Sequence, residues 1–157
     1  MYQEEDYSTI KNHVTRLQLC LWIPFGLIFI GILLLFLILR IPNTLTSILT
    51  IVLFGAAIFV FDYFIMPQIK YEKHIDHALH GRKRNLTGYF VSMESIADKK
   101  EGVFFYPMMV YTDPDEQEDS LRLLYYDANL FRPGWEKDLK LDLTIYDKYV
   151  CDWKAAE

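Results

Sequence analysis

The chain has 157 residues, of which 52% are hydrophobic and 24% are charged, and its formal net charge is −5. The charge is uneven: residues 85–157 hold fifteen acids against eight bases, so this part would be repelled by nucleic acid. The composition therefore excludes a nucleic-acid-binding protein, and we expect no nucleic-acid partner.

Two apolar segments follow an N-terminal tail, residues 1–16. Leu17–Leu39 contains no charged residue, and Leu45–Met66 contains one, Asp62. At roughly 1.5 Å per residue, each is long enough to cross the hydrocarbon core of a bilayer, about 30 Å thick. The tail is more acidic than basic and the first apolar run is too long for a cleaved signal peptide. Residues 17–66 are thus predicted to form a retained transmembrane hairpin.

The orientation of this hairpin follows from the lysines and arginines beside it. The short connection contains one, Arg40, whereas the segments outside the two spans contain seven. Because basic flanks stay in the cytoplasm, we expect a two-span protein of the cell membrane with both termini cytoplasmic. Five of the bases follow the second span and are predicted to contact anionic headgroups. They are Lys70, Lys73, Arg82, Lys83 and Arg84.

A juxtamembrane helix is predicted next, within residues 67–84, beginning at Pro67 and stopping at Gly81. Its end reads HIDHALH and contains three of the four histidines of the chain. Three hypotheses remain open for them: a metal site, a pH-responsive or headgroup contact, and an ordinary solvated stalk. The candidates for a pH response are His74, His77 and His80.

The helical spacing argues against the first of these hypotheses. Lys70 lies four residues before His74, and Lys73 lies four before His77, so both histidines share a basic face that disfavours a dication. Only His80 has an acid, Asp76, one turn away. We therefore expect no metal and an ordinary stalk.

Residues 85–157 change to a pattern typical of strands. Five segments rich in aromatic and β-branched residues are bounded by turn formers, and residues 139–146 alternate apolar with polar side chains. The strands are predicted at 88–94, 102–112, 120–126, 139–146 and 148–153, with a solvated acidic turn at 113–119. The expected fold is an α+β membrane protein: a two-helix transmembrane hairpin plus a small antiparallel β-barrel or sandwich domain.

The sequence of this domain offers little chemistry. It contains no histidine, so Cys151 has no imidazole base, and the chain has no glycine-rich phosphate loop. Cys20 lies in the first span and cannot pair with Cys151, which suits a reducing compartment. Fifteen acids in the domain make any choice of a catalytic pair arbitrary. We expect no enzyme and no cofactor.

One segment resembles a known family. Phe105-Tyr106-Pro107-Met108-Met109-Val110-Tyr111 followed by Thr112-Asp113-Pro114-Asp115 is similar to a motif of uncharacterised small bacterial membrane proteins. These proteins join one or two transmembrane helices to a C-terminal β-barrel-like domain. The opening strand of that domain resembles Thr87–Ser92, whereas Lys148 stands where the family has a proline after a Tyr-Asp pair. The resemblance implies an architecture and no established activity.

The hypothesis that follows is a non-enzymatic, membrane-anchored interaction module. It would present the small cytoplasmic β-domain to a protein partner or to a second copy of the chain. The alternative is an accessory subunit of a transporter or membrane enzyme complex, with an intramembrane polar contact through Asp62. An oligomeric channel and a membrane-bound hydrolase are weaker alternatives.

Overall fold

A computed structural model describes residues 1–39, 42–113 and 120–156. Arg40, used above for the orientation, and most of the acidic turn predicted at 113–119 lie outside the described residues. By its contacts the chain forms two compact units. One combines Met1–Tyr7 with Lys70–Glu157, and the other is Ser8–Ile69.

Among the described residues, the first half of the chain forms three α-helices. Helix α1 (Glu4–Leu39) includes the predicted first span and begins well before it, with acidic residues in its first turn that suit a helix N-terminus. Helix α2 (Asn43–Val60) and helix α3 (Met66–His80) are joined without a break by a π-helical segment, Phe61–Ile65. Glu4–Ile38 and Asn43–His80 are long and apolar enough, by length and composition, to cross a membrane.

Helix α1 contacts helix α2 and the π-helical segment after it through aromatic rings, as expected for the predicted hairpin. The ring centroids of Trp22 and Phe61 are 6.3 Å apart, and those of Phe25 and Phe29 lie 5.1 and 5.7 Å from Phe54. Residue numbers rise along α1 as they fall along the opposing helix, so the pair is antiparallel.

The π-helical segment has a local cause in Pro67. A proline inside a helix has no N–H to donate, and its ring collides with the carbonyl four residues earlier. The backbone widens just before it, and the N–H of Met66 donates to the oxygen of Phe61, five residues back. Helix α3 then continues through Pro67. The sequence predicted the continuing helix but not the widened turn, which contains the exposed Asp62.

A six-stranded mixed sheet follows. Its bounds are β1 Arg84–Met93, β2 Asp98–Lys100, β3 Val103–Tyr111, β4 Leu121–Asp127, β5 Lys140–Tyr146 and β6 Tyr149–Ala155, in the order β1-β5-β6-β4-β3-β2. Five of these correspond to the predicted strands. The sixth, β2, is a three-residue polar strand that pairs with β3 and has no alternating pattern to reveal it.

Strand β1 pairs on both sides of a bend. Residues Arg84–Tyr89 pair with β5, and Tyr89–Met93 pair with β3, with a register shift between Phe90 and Ser92 inside this second pairing. A bulge of this kind bends a strand and increases its twist. As a result β1, β3, β4, β5 and β6 each have two or more neighbouring strands.

The prediction of a wholly antiparallel sheet is wrong at one pairing. Strands β4 and β6 are parallel and meet at Tyr125 and Tyr149. The reason is the path of the chain after β4. Residues 128–139 carry it across to β1, where β5 pairs. A tight turn at Asp147 then leads into β6, which lies beside β4.

The core of the sheet follows the predicted alternation. Leu141 and Leu143 of β5 are buried while Asp142 between them is exposed. They pack with residues contributed by every strand except β2: Phe90, Met108, Val110, Leu124, Tyr126 and Val150. Ile75 and Ala78 of α3 are also buried. The end of α3 therefore belongs to the β-domain and is not the solvated stalk that the sequence favoured.

Candidate functional site

The most buried polar group among the described residues is Asp127, the last residue of β4, which is 0% exposed. One carboxylate oxygen, Oδ1, accepts hydrogen bonds from the backbone N–H and the side-chain amide of Asn129, at 2.8 and 3.0 Å. The other, Oδ2, accepts from the hydroxyls of Tyr2 at 2.8 Å and Tyr71 at 3.0 Å. A buried carboxylate that accepts four hydrogen bonds is fully satisfied. It therefore holds together the segments that contain the donor residues.

His74 is the next residue of this cluster. Its Nε2 lies 3.1 Å from the hydroxyl oxygen of Tyr2. Tyr2 has one hydroxyl hydrogen, which it donates to Asp127, so we assign the ring hydrogen to Nε2, with the Tyr2 oxygen accepting it. The rings of Phe105 and Tyr149 pack against the imidazole at 4.9 and 5.2 Å between centroids.

The pKa shifts in the cluster follow from burial. Burial lowers the pKa of His74, and His77 lowers it further, against the opposing effect of the Asp127 charge. Burial raises the pKa values of both Tyr2 and Tyr71, and the negative charge of Asp127 raises them further. Both phenols are therefore protonated donors at neutral pH. They are suited to holding the carboxylate in place and unsuited to acting as nucleophiles.

The structure separates the three histidines of HIDHALH. His74 is in the buried cluster, whereas His77 is exposed and stacks on Tyr146 at 5.3 Å between centroids. His80 is exposed and its Nδ1 and Nε2 lie 3.0 and 3.1 Å from Asp76 and Glu4. The predicted neighbour of His80 is thus in contact. His74 and His77 line one cleft with Lys70 and Lys73, which agrees with the predicted basic face, but His74 is half-buried and not solvated. Within residues 1–39, 42–113 and 120–156, no group of three acids, cysteines or histidines could hold a metal ion.

The five predicted headgroup-binding bases occupy different surfaces. Lys70 and Lys73 line a cleft of about 310 Å³ together with a lysine that the sequence did not single out, Lys100. We call this the lysine cleft; its other lining residues are His74, His77, Glu101, Val103, Phe105, Tyr146, Asp147 and Tyr149. Arg82 and Lys83 are exposed in the connection to β1.

A second groove contains the fifth base, Arg84. Its lining includes Arg122 and Lys148, which are basic, and a single acid, Asp147. Apolar side chains of β4 line it too, and two of them are conspicuously exposed: Leu121 at 43% and Leu123 at 42%. Sequence reasoning missed this groove because the pattern of β4 predicts an ordinary half-buried strand.

Sequence reasoning also missed Asp127, and the reason is simple. It is one of fifteen acids in the domain, and its donors Tyr2 and Tyr71 lie 125 and 56 residues away along the chain. The one available signal is its position directly after the strand LRLLYY. An acid there predicts a turn as readily as a buried anchor.

Comparison of the chain with protein-family models, with curated proteins and with solved structures gives no match. The family resemblance read from residues 105–115 therefore stays a prediction.

Proposed function

We propose that the protein is a non-enzymatic, membrane-anchored module whose cytoplasmic β-domain binds an extended segment of a protein partner. Helix α1 and the continuous helix that begins with α2 would be the anchor, because Glu4–Ile38 and Asn43–His80 are apolar and long enough to span. The basic flanks would keep both termini in the cytoplasm. The observation that carries the proposal is an open strand edge on β4.

The β-domain is, in this proposal, a small barrel. The pairings run from β1 through β5, β6, β4 and β3 and return to β1, which is the connectivity of a closed sheet. The closure is weakest between β4 and β6, which are paired at one residue position. Apart from the outer side of the three-residue strand β2, this gap is the open edge of the sheet among the described residues, so a partner strand would add here.

The register shows which backbone groups are open. The N–H of Thr112 donates to the oxygen of Ser120. In an antiparallel pair, every second residue exchanges backbone hydrogen bonds with the facing strand. In β4 the residues that bond to β3 are therefore Arg122 and Leu124. The backbone groups of Leu121 and Leu123 then point away from β3. Farther along the same edge, the N–H of Tyr125 donates to the oxygen of Lys148 on the β6 side. Within the described residues no strand pairs with that edge at Leu121 and Leu123.

The surroundings indicate what kind of strand would add there. The exposed side chains of Leu121 and Leu123 offer apolar contacts at alternate positions. Arg84, Arg122 and Lys148 outnumber Asp147 in the lining of the groove. The complementary partner is an extended segment that alternates apolar and acidic residues, held by main-chain hydrogen bonds. Its charge would be complementary to the groove, which aids association.

The test uses the full chain in detergent micelles and two synthetic eight-residue peptides, one alternating Val with Glu and one alternating Val with Lys. Hydrogen exchange at single-residue resolution should slow at the amides of Leu121 and Leu123 when the acidic peptide is added. The amides of Arg122 and Leu124 should change little because they already bond to β3. Equal effects of both peptides, or protection elsewhere only, would contradict the proposal.

Two substitutions at one position separate the backbone from the side chain. Leu123→Pro removes the outward N–H and leaves the bonds to β3, so we expect loss of peptide-induced protection at Leu121. Leu123→Ala keeps the N–H and removes the apolar contact, so weaker binding with the same protection pattern is expected. If both variants bind the acidic peptide as the natural chain does, strand addition at β4 is wrong.

The membrane topology is tested separately. Protease added to sealed right-side-out vesicles should leave the β-domain intact and should degrade it when the vesicles are inverted. Degradation in right-side-out vesicles would place the domain on the other side and refute the cytoplasmic orientation, without bearing on the β4 edge.

An accessory subunit of a membrane complex is the second candidate, favoured by Asp62. This carboxylate is exposed on the π-helical segment of an otherwise apolar helix, and such widened turns occur often at functional positions. Asp62→Asn should then reduce co-purification of a membrane partner, while Thr50→Val, a polar-group deletion elsewhere on the same helix, should not. If Asp62→Asn co-purifies with the membrane partner as the natural chain does, the accessory-subunit hypothesis is wrong.

A further inference from the structure

We infer that the lysine cleft binds a small phosphate ester that also carries an ammonium group, with the phosphate on the lysines and the ammonium near two carboxylates. The same chemistry occurs in a zwitterionic phospholipid headgroup and in a soluble amino-alcohol phosphate. The inference does not depend on the β4 edge, since the cleft is lined by different residues apart from Asp147.

The phosphate end is indicated by three lysines. Lys70 and Lys73 are three residues apart on α3, so their side chains lie on one face of the helix. Lys100 comes from the end of β2, a different element. Among the described residues none of the three forms an ion pair. Lysine ammonium groups that line one cleft and form no ion pair are suited to binding a phosphate.

Two of these lysines are held in place before a ligand arrives. A Cβ atom at Gly102, which has φ +91°, would come within 2.5 Å of Cδ of Lys70, so the lysine stem lies directly on the glycine. The Nζ of Lys100 lies 5.5 Å from the ring centroid of Tyr125, a cation–π distance. Side chains ordered in advance lose less conformational entropy on binding.

The ammonium end is indicated by two acids that line the cleft together with aromatic side chains. Glu101 and Asp147 line the same cleft, and the negative charges of both raise the pKa of Tyr149 beyond the effect of its burial, so both lie near its phenol. Within the described residues neither carboxylate forms an ion pair. Carboxylates beside an aromatic face attract an ammonium group by charge and by cation–π contact.

The balance of charges argues against a simple anion. Three lysines against two acids leave a net charge of only +1 when both histidines are neutral. A ligand with a phosphate alone would meet two repelling carboxylates. One with both charges would satisfy all five groups, and a volume of about 310 Å³ is at the small end of the usual range of ligand sites.

The test measures binding of O-phosphoethanolamine and of glycerol 3-phosphate to the full chain in maltoside micelles by calorimetry. The natural chain should bind phosphoethanolamine saturably and more tightly than glycerol phosphate. Lys73→Gln should weaken both about tenfold, because it removes a charge-assisted contact. Asp147→Asn should weaken phosphoethanolamine alone by about five- to tenfold; asparagine tolerates the positive φ of 54° at this position.

Controls keep the result interpretable. Lys137→Gln removes an exposed lysine outside the cleft and should leave both affinities unchanged. Thermal unfolding of each variant should match the natural chain within a few degrees, since Lys73, Asp147 and Lys137 are all exposed. Absence of saturable binding, equal affinity for the two esters, or no effect of Lys73→Gln in a folded variant would overturn the inference.

The source of the ligand is decided in nanodiscs. If the ligand is a headgroup, phosphatidylethanolamine nanodiscs should suppress binding of soluble phosphoethanolamine, whereas phosphatidylglycerol nanodiscs should not. If it is a soluble compound, both nanodiscs should give the same affinity. Either outcome supports the cleft as an aminophosphate site, and failure to bind in both kinds of nanodisc refutes it.

Discussion

Replacing Asp127 is the most direct perturbation of the β-domain. Asp127→Ala removes the acceptor of four hydrogen bonds from three residues: Tyr2, Tyr71 and Asn129. Each donor left unsatisfied in a buried place costs about 1–3 kcal/mol. Tyr2 and Tyr71 are only half-buried, so water can reach part of the space left by the side chain. We therefore count the loss of four hydrogen bonds as two unsatisfied donors. The free energy of unfolding should fall by about 2–6 kcal/mol, a large share of a typical total.

Asp127→Asn is the milder form of the same change. The amide keeps one oxygen, which can still accept from Asn129, but places an NH₂ group where Oδ2 accepted from the two phenols. The hydroxyls of Tyr2 and Tyr71 can rotate to accept from it, so we expect a loss of about 1–2 kcal/mol. The two variants should therefore differ clearly, with alanine the more damaging.

The measurement is urea unfolding of the full chain in micelles, followed by tryptophan fluorescence. Trp135 and Trp153 both pack against the core of the β-domain and report on it directly. With a slope of about 2 kcal/mol per molar urea, the midpoint for Asp127→Ala should move down by about 2 M. Asp142→Asn, an exposed carboxylate bonded to Thr87, is the control and should shift stability by about 0.5 kcal/mol or less. Equal midpoints for Asp127→Ala and the control would refute the reasoning.

Three further predictions follow from single residues. Burial lowers the pKa of His74 in the folded chain. The free energy of unfolding should therefore fall as the pH drops from about 6.5, the ordinary pKa of histidine, to the lower pKa of the folded state. Urea midpoints should show this slope, His74→Gln should flatten it, and His13→Gln, at an exposed site, should not. Gly81→Ala should destabilise the chain by about 1–3 kcal/mol in the same assay, because a Cβ would collide with the backbone carbonyl oxygen of His77. Gly134→Ala meets open space and should be neutral. Burial also raises the pKa of Cys151, so maleimide labelling followed by mass mapping should be slow until urea unfolds the domain; equal rates in folded and unfolded chain would contradict its buried position.

The elements of the fold that depend on local pattern were predictable. The apolar runs gave the two long helices, Gly81 marked the end of α3, and the alternation in residues 139–146 gave strand β5 and its buried face. These features depend on periodicity and turn chemistry, which a single sequence contains. The short strand β2 was missed because three polar residues, Asp98–Lys100, pair only in the context of β3.

The candidate sites were predictable only in part. Lys70 and Lys73 were singled out as basic residues near the membrane, but nothing in the sequence places Lys100 beside them or Gly102 under Lys70. HIDHALH was interpreted as a solvated end of a helix, and for His77 and His80 exposure is what the structure shows. His74 differs because its side of the helix is covered by the β-domain.

The sequence by itself determined the two apolar spans, the helix that follows them, and the strand-forming character of the remainder, because these depend on neighbours one to four residues apart. Tertiary structure alone decided that β6 returns parallel to β4 and that, among the described residues, no strand pairs with the outer edge at Leu121 and Leu123. It alone brought Tyr2 and Tyr71 to Asp127. The physical reason is that sheet closure and buried hydrogen bonds join residues that are far apart along the chain, and no local periodicity records those pairings.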